Sequence, residues 1–524
     1  MRPMPADTPQ IRDALNVLPR LLAAGDTHSA RDHVLATLET APEHPGLNAF
    51  AAFIFDRLGD RETAIHHARK AAGSGAAAPR PVAQAANLLA RFRLFDEALA
   101  AAHTISPADI RDPVIADQLG AAYTACDAHH DAERAYARLV ELVPHDPRCR
   151  FNLAAAQRFN GRRNDAAANF DHVIAANPLH GEAWYARALV EKAGPDNNRI
   201  DKLRQVCGDP RLGLQDKAAI HYALGKELED LGQWSEAFLA WSRGAEAVRQ
   251  ARPYKVQPEL DAIAETARLW PASKGVSKSA PLTPVFIVSL PRAGSTLVDR
   301  ILSSHPEIVS AGETEDFIVS LLGDPALAAA RDPAALARLT PQVDLAAVGQ
   351  RYRDALTRRG YRRGVVIDKT PTNFLYAGLI AEALPEARII HVDRQPMDAA
   401  LATFKTLFRD RYLWSYDLKD IASYMAAKNR LMAHWQSGWP EHIFRVCYED
   451  VVRETEAIAK QLVAFLGLDW DPACLDFTSQ SAPVSTASAD QVREPLHDRS
   501  IDHWRDFETE LAPVAARLAA AGIS

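Results

Sequence analysis

The stretch PVFIVSLPRAGSTLVDRILSSHPEIVSAGET, residues 284–314, decides how this chain is read. Its β-branched, apolar run from Val285 to Leu290 reads as a buried strand. Pro291-Arg292-Ala293-Gly294-Ser295-Thr296 reads as a turn, and Leu297, Val298, Ile301 and Leu302 as the apolar face of a helix. A strand that enters a Gly/Ser/Thr turn opening a helix aims several backbone N–H groups and the positive helix end at one spot. That geometry binds a phosphate or sulfate. A triphosphate loop of the form G-x-x-x-x-G-K-[ST] would need a lysine where Ser295 stands, so metal-assisted ATP chemistry loses its main cation. Arg292, ahead of the glycine, carries the positive charge instead. For the hexapeptide alone, an ordinary strand-to-helix turn is the plainer reading.

Three later segments extend the pattern. Val365–Pro371 is a short apolar strand running into Asp368-Lys369-Thr370, which brings Lys369 out at the carboxyl end of a sheet, where open α/β folds bind ligands. Arg388–Asp398 holds a second strand that ends at Arg394, with Pro396 starting a helix. Phe444–Asp450 holds a third, through Tyr448. Helical stretches such as SYMAAKNRLMAHWQSGW and EAIAKQLVAFLG alternate with these strands. The alternation predicts a parallel sheet covered on both faces.

Upstream, Ala64, Ala98, Ala132 and Ala166 recur every 34 residues, as do Pro45, Pro79, Pro113 and Pro147. Each unit reads as helix, turn, helix and a proline-marked break, with the alanine at a helix crossing where a larger side chain would force the helices apart. These features resemble the tetratricopeptide repeat over roughly residues 13–250, about six units that become irregular around GPDNNRIDKLRQVCGDPRLGLQ. Stacked hairpins form a superhelix whose concave face suits an extended peptide or protein. Packing or dimerisation is the plainer role. The expected organisation is a helical array over 1–250, a helix and proline-rich linker over 251–282, and an α/β domain over 283–524.

At 524 residues with 48% hydrophobic and 24% charged residues, the chain is an ordinary multidomain globular protein, not a disordered one. A net charge of -7 and pI ≈ 6.2 do not suit a nucleic-acid backbone as main partner, so any anion site is local. The five cysteines lack a Cys-x-x-Cys pair and read as reduced. No stretch approaches the ~20 apolar residues of a membrane helix, and the amino-terminal residues lack a signal-peptide core; a cytoplasmic location is expected. His66-His67 and His129-His130 point about 100° apart on a helix, a poor metal site. Trp184, Trp234 and Trp241 read as core.

Six motifs in order, P-R-A-G-S-T, G-E-T, D-K-T-P, H-V-D-R-Q-P, V-C-Y-E-D and a late T-A-S-A-D-Q-V-R-E-P followed by H-W, resemble the sulfotransferases that use 3′-phosphoadenosine 5′-phosphosulfate. The likeness covers about 283–510 and is strongest to the tyrosylprotein sulfotransferases and to bacterial proteins joining repeats to such a domain. It implies an α-solenoid followed by a P-loop-like α/β domain with a parallel sheet. It also implies that Arg292, Ala293, Gly294, Ser295 and Thr296 hold the 5′-phosphosulfate and Arg394 the 3′-phosphate. Tyr448 would contact the nucleotide, and the segment from Ser488 to His497, with Gln491 and Arg493, would close over the donor. His503 replaces a lysine, and Ala402 replaces a serine that assists Arg394, with Thr403 adjacent.

For chemistry the resemblance makes Glu313 the base and Lys369 and Ser488 the groups that stabilise the transition state, with no metal. Glu315 and Asp316 are rivals to Glu313, whose plainer role is to favour a helix dipole. A surface ion pair with Asp368 is the plainer role of Lys369. A protein or peptide tyrosine, recruited by the repeats, is the leading acceptor, and homodimerisation is left open. The alternative is a non-catalytic repeat scaffold whose degenerate α/β half has lost donor binding, motivated by Ala402 and His503.

Overall fold

A computed structural model describes residues 8–270, 280–477 and 498–523. Packing divides the chain into two compact units, 1–177 and 178–524.

The first unit is built of helical hairpins. The prolines at 34-residue spacing turn out to be the opening residues of helices: Pro45–Arg57, Pro79–Arg91, Pro113–Ala125 and Pro147–Phe159. Proline suits that place because the first N–H of a helix has no intrahelical partner and φ is already helical. Each is followed by a return helix: Arg61–Ala72, Phe95–Ala102, His129–Leu142 and Arg163–Ala176. The alanine column lies in these return helices, and Ala64, Ala98, Ala132 and Ala166 are all fully buried. Gly120 shows how close the helices run, since a Cβ there would lie 2.4 Å from the Tyr136 ring. Asp26 and Asp60 cap return helices by accepting the N–H groups of Ser29 and Thr63.

The second unit begins with more helices: Gly181–Val190, Ile200–Cys207, Leu214–Asp230, Trp234–Ala251 and Gln257–Leu269. The stretch that broke the repeat pattern folds as the short helix Ile200–Cys207, inserted ahead of the long pair Leu214–Asp230 and Trp234–Ala251. Trp184 and Trp241 are buried in this unit, whereas Trp234 packs edge-on against Phe507 and His503.

Among the described residues its sheet has five strands, β1 (Leu282–Val288), β2 (Ile308–Ser310), β3 (Gly364–Asp368), β4 (Arg388–Asp393) and β5 (Ile443–Cys447). All pairings are parallel and the order is β2-β3-β1-β4-β5. One face packs Val285, Ile287, Val298, Ile301, Ile367 and Val392 together. On the other, Phe286 meets the rings of Phe317 and Tyr352. β1 is the central strand, with β3 on one side and β4 on the other, so the carboxyl ends of these three strands border the crevice where such sheets bind ligands. Among the described residues no helix is long and apolar enough to cross a membrane, and all five cysteines are free thiols.

Candidate active site

The turn after β1 is the first wall of the crevice. Arg292 and Gly294 both adopt left-handed backbone, with φ of 67° and 99°. The helix Ser295–Ser303 starts directly from Gly294 with no side-chain cap. Among the described residues no protein acceptor takes the N–H of Gly294 or Ser295. An uncapped helix start of this kind presents donors to an anion. Ala293, Ser295 and Thr296 are buried beneath the turn. Glycine is required at 294 on two counts: its φ, and the Tyr448 Cδ2 atom that would lie 2.3 Å from an added Cβ.

Arg394, just past β4, crosses to that turn. Its Nη1 donates to the Arg292 carbonyl at 2.9 Å and its Nη2 to the Ser500 carbonyl, while the guanidinium lies 4.8 Å from the centre of the Tyr448 ring. The Tyr448 hydroxyl meets Ser500 Oγ at 2.9 Å. The neighbouring acid, Asp393, is already matched by the buried ammonium of Lys428 at 3.1 Å and by Arg445 at 2.9 Å. Among the described residues Arg394 therefore has carbonyl partners and an aromatic face but no carboxylate, and no partner for its buried Nε. A guanidinium left uncompensated in a crevice is prepared for an anion.

The ends of β2 and β3 form the opposite wall. Lys369 N donates to Gly312 O at 2.8 Å and Ala311 N to Ile367 O at 2.8 Å, which zips the Ala311–Glu313 loop along β3. Lys369 Nζ, 2% exposed, donates to Glu313 Oε1 at 2.9 Å, and the Glu313 side chain is 33% exposed. Asp368 is not the partner of Lys369. It turns into the core, where it accepts from Thr314, Thr370 and Tyr352, and burial raises its carboxyl to about 6.

The rivals of Glu313 have other partners. Asp316 opens the helix Asp316–Leu322 and is held by Arg359 at 2.6 Å, while Glu315 is held by Arg411 at 2.9 Å. Burial and then the charge of Glu313 push the Tyr412 phenol up to about 12. Behind the pair, burial raises the carboxyl of Asp299 despite the attraction of Lys369.

Ser488, Gln491 and Arg493 lie outside the described residues. His503 is described and is taken by carboxylates on both sides: Nε2 meets Glu229 Oε1 at 2.8 Å and Nδ1 meets Asp506 Oδ2 at 3.0 Å. Ala402 is buried, and the hydroxyl of Thr403 donates to the Pro291 carbonyl at 3.3 Å, bracing the turn after β1.

Sequence reasoning assigned no role to Asp398, Ser500 or Glu229. Asp398 accepts the N–H groups of Asp502 at 2.7 Å and Trp504 at 2.9 Å, holding down the segment that carries Ser500. Its place in R-Q-P-M-D was the one available signal. Glu229, from the helix Leu214–Asp230, accepts from both Lys405 and His503. Tyr222 of the same helix donates to the Phe404 carbonyl at 3.0 Å, and Tyr185 accepts from Leu407 N at 3.2 Å. The unit's leading helices thus hold the segment that carries Arg411 to Glu315. Among the described residues no group of three or more His, Cys, Asp or Glu side chains is placed to hold a metal ion.

Residues 284–472 match the sulfotransferase family. Arg292, Glu313, Lys369, Arg394 and Tyr448 all fall inside the matched segment, and Ser500 and His503 lie past it. An uncharacterized protein of Aquifex aeolicus is 26% identical over 367 residues, covering 68% of this chain and 48% of the relative. The chain thus spans about half the length of that relative. Protein-tyrosine sulfotransferase 1 of Danio rerio is 24% identical over 265 residues, 47% of this chain and 73% of that protein. Among solved structures, the sulfotransferase domain of the Synechococcus PCC 7002 olefin synthase is 21% identical, with a TM-score of 0.32, covering 48% of this chain and 98% of that one.

Proposed function

We propose that the chain transfers a sulfuryl group from 3′-phosphoadenosine 5′-phosphosulfate to an acceptor hydroxyl, a tyrosine of a protein or peptide. The observation that carries this reading is the Glu313–Lys369 pair, a carboxylate and an ammonium 2.9 Å apart beside a turn with open N–H donors.

In this reading Arg292 and the N–H groups of the turn hold the 5′-phosphosulfate, Arg394 takes the 3′-phosphate, and Tyr448 lies against the nucleotide. The acceptor oxygen attacks sulfur in line with the sulfur–oxygen bond to the 5′-phosphate. The new O–S bond forms as the old one breaks, and its electron pair leaves on the phosphate. Glu313 accepts the phenolic proton, which a group with pKa ≈ 10 still carries at neutral pH. Lys369 turns from Glu313 toward the departing oxygen and neutralises its growing charge. Ser488 adds a hydrogen bond to that oxygen. No step requires a metal. The helical array over 1–250 recruits the protein acceptor, and 283–524 performs the transfer.

The scaffold reading draws support from His503, whose ring nitrogens are both held by carboxylates. The test is incubation of the full chain with the donor and a tyrosine peptide, followed by mass spectrometry. A sulfated peptide with wild-type protein and none with Glu313→Gln supports transfer. Absence of product across tyrosine, sugar and small-molecule acceptors favours the scaffold.

A further inference from the structure

A second polar cleft lies away from the crevice, among the leading helices of the 178–524 unit. It has a volume of about 500 Å³, within the range of small-ligand sites. Its origin is the helix Ile200–Cys207, the element that departs from the repeat pattern, which walls it opposite Leu214–Asp230 and Trp234–Ala251.

The lining carries Arg204, Lys217 and Arg243 against one carboxylate, Glu246, in a chain whose net charge is -7. Arg204 is paired with Glu236 at 2.6 Å. Lys217 and Arg243 have no carboxylate partner among the described residues. Cations gathered around a concave site repel each other and focus their field on the space between them.

The floor adds a neutral donor. His221 is 4% exposed and its Nδ1 lies 3.7 Å from Cys207 Sγ. Burial, then the charges of Arg243 and Lys217, lower the imidazole to about 4, and burial raises the thiol to about 11. Both are neutral at pH 7. In the arrangement in which the Cys207 S–H donates to Nδ1, the proton of neutral His221 sits on Nε2. No protein group among the described residues takes that Nε2 proton. The Gln250 amide at the same cleft already donates to Glu246 Oε1 at 3.2 Å, so it takes up part of the one acid there.

From this array of donors we propose that the cleft is a second ligand site, separate from the crevice at β1 and β4, for a small anion of at least two negative charges, a phosphate or sulfate ester. Lys217 and Arg243 supply the charge, and His221 Nε2–H supplies a directed hydrogen bond.

Calorimetric titration of the full chain with inorganic pyrophosphate tests it, with inorganic sulfate as a second probe. The expected result is saturable pyrophosphate binding with one component that weakens at least tenfold in Lys217→Ala/Arg243→Ala and is unchanged within twofold in Arg394→Ala. Both replaced side chains of the double variant lie at the surface of the cleft, and its melting temperature checks that it is folded. Binding that is unchanged in the double variant, or lost in Arg394→Ala alone, assigns the anion to the crevice and overturns the proposal. Absence of saturable binding to wild-type protein with both probes overturns it as well.

Discussion

Lys369 Nζ and Glu313 Oε1 are 2.9 Å apart, joining the end of β3 to the loop that follows β2. Neither residue is engaged by the acids and cations around it: Asp368 faces Thr314 and Thr370, Asp316 faces Arg359, and Glu315 faces Arg411. In the proposed reaction the pair couples a proton acceptor to a cation that moves to the departing oxygen. Glu313→Gln and Lys369→Met are each expected to lower kcat by about 10²-fold or more. Donor Kd should stay within a few fold in both. Glu315→Gln, which removes the Arg411 partner instead, should keep most activity. Steady-state kinetics with direct nucleotide titration separates the three.

Gly294 and Tyr448 are in contact across the turn, so Gly294→Ala must meet both a left-handed φ and the Tyr448 ring. The backbone cost alone is about 1–2 kcal/mol. Tyr448→Ala removes the steric part, and the double variant should therefore be less destabilised than the sum of the singles. Chemical denaturation of the four proteins measures this coupling.

Glu229 is buried between Lys405 and His503. Burial opposes its charge, but Lys405 and His503 outweigh burial and hold its carboxyl at about 2, below the ordinary 4.5. An acid with a depressed folded pKa contributes stability above its unfolded value and loses it as pH falls through the folded value. The contribution is of order 3 kcal/mol at neutral pH, since one pKa unit is worth about 1.4 kcal/mol. Glu229→Gln should be less stable than wild type at pH 7, and the gap should close as pH falls from about 4.5 toward 2. A gap that stays constant over that range would show that charge at Glu229 does not hold His503 in place.

Much of this architecture can be read from the chain because its signals are local. The 34-residue columns of alanine and proline are steric requirements repeated at fixed places, and β1, β3, β4 and β5 are apolar runs bounded by polar turns. Strand β2 spans only Ile308–Ser310, too few residues for a period, and no such strand was expected. At the site, the turn after β1 and Arg394 are legible because the chemistry sits in contiguous motifs. Glu313, Glu315 and Asp316 are three acids within four positions that composition does not distinguish; in the fold Lys369, Arg411 and Arg359 take them respectively. Glu229 was invisible for a different reason. Its partners are 176 and 274 residues away, and only the folded packing of the leading helices brings them together.

The central claim is that the crevice between the β1 turn and Arg394 holds a 3′-phosphorylated adenine nucleotide. Titration calorimetry of wild-type chain and Arg394→Ala with adenosine 3′,5′-bisphosphate and with adenosine 5′-diphosphate tests it without knowledge of the acceptor. The account predicts that wild type prefers the 3′-phosphorylated nucleotide by tenfold or more, about 1.4 kcal/mol, and that Arg394→Ala erases the preference. Equal affinity for the two nucleotides in wild type, or a preference that survives in Arg394→Ala, would contradict it.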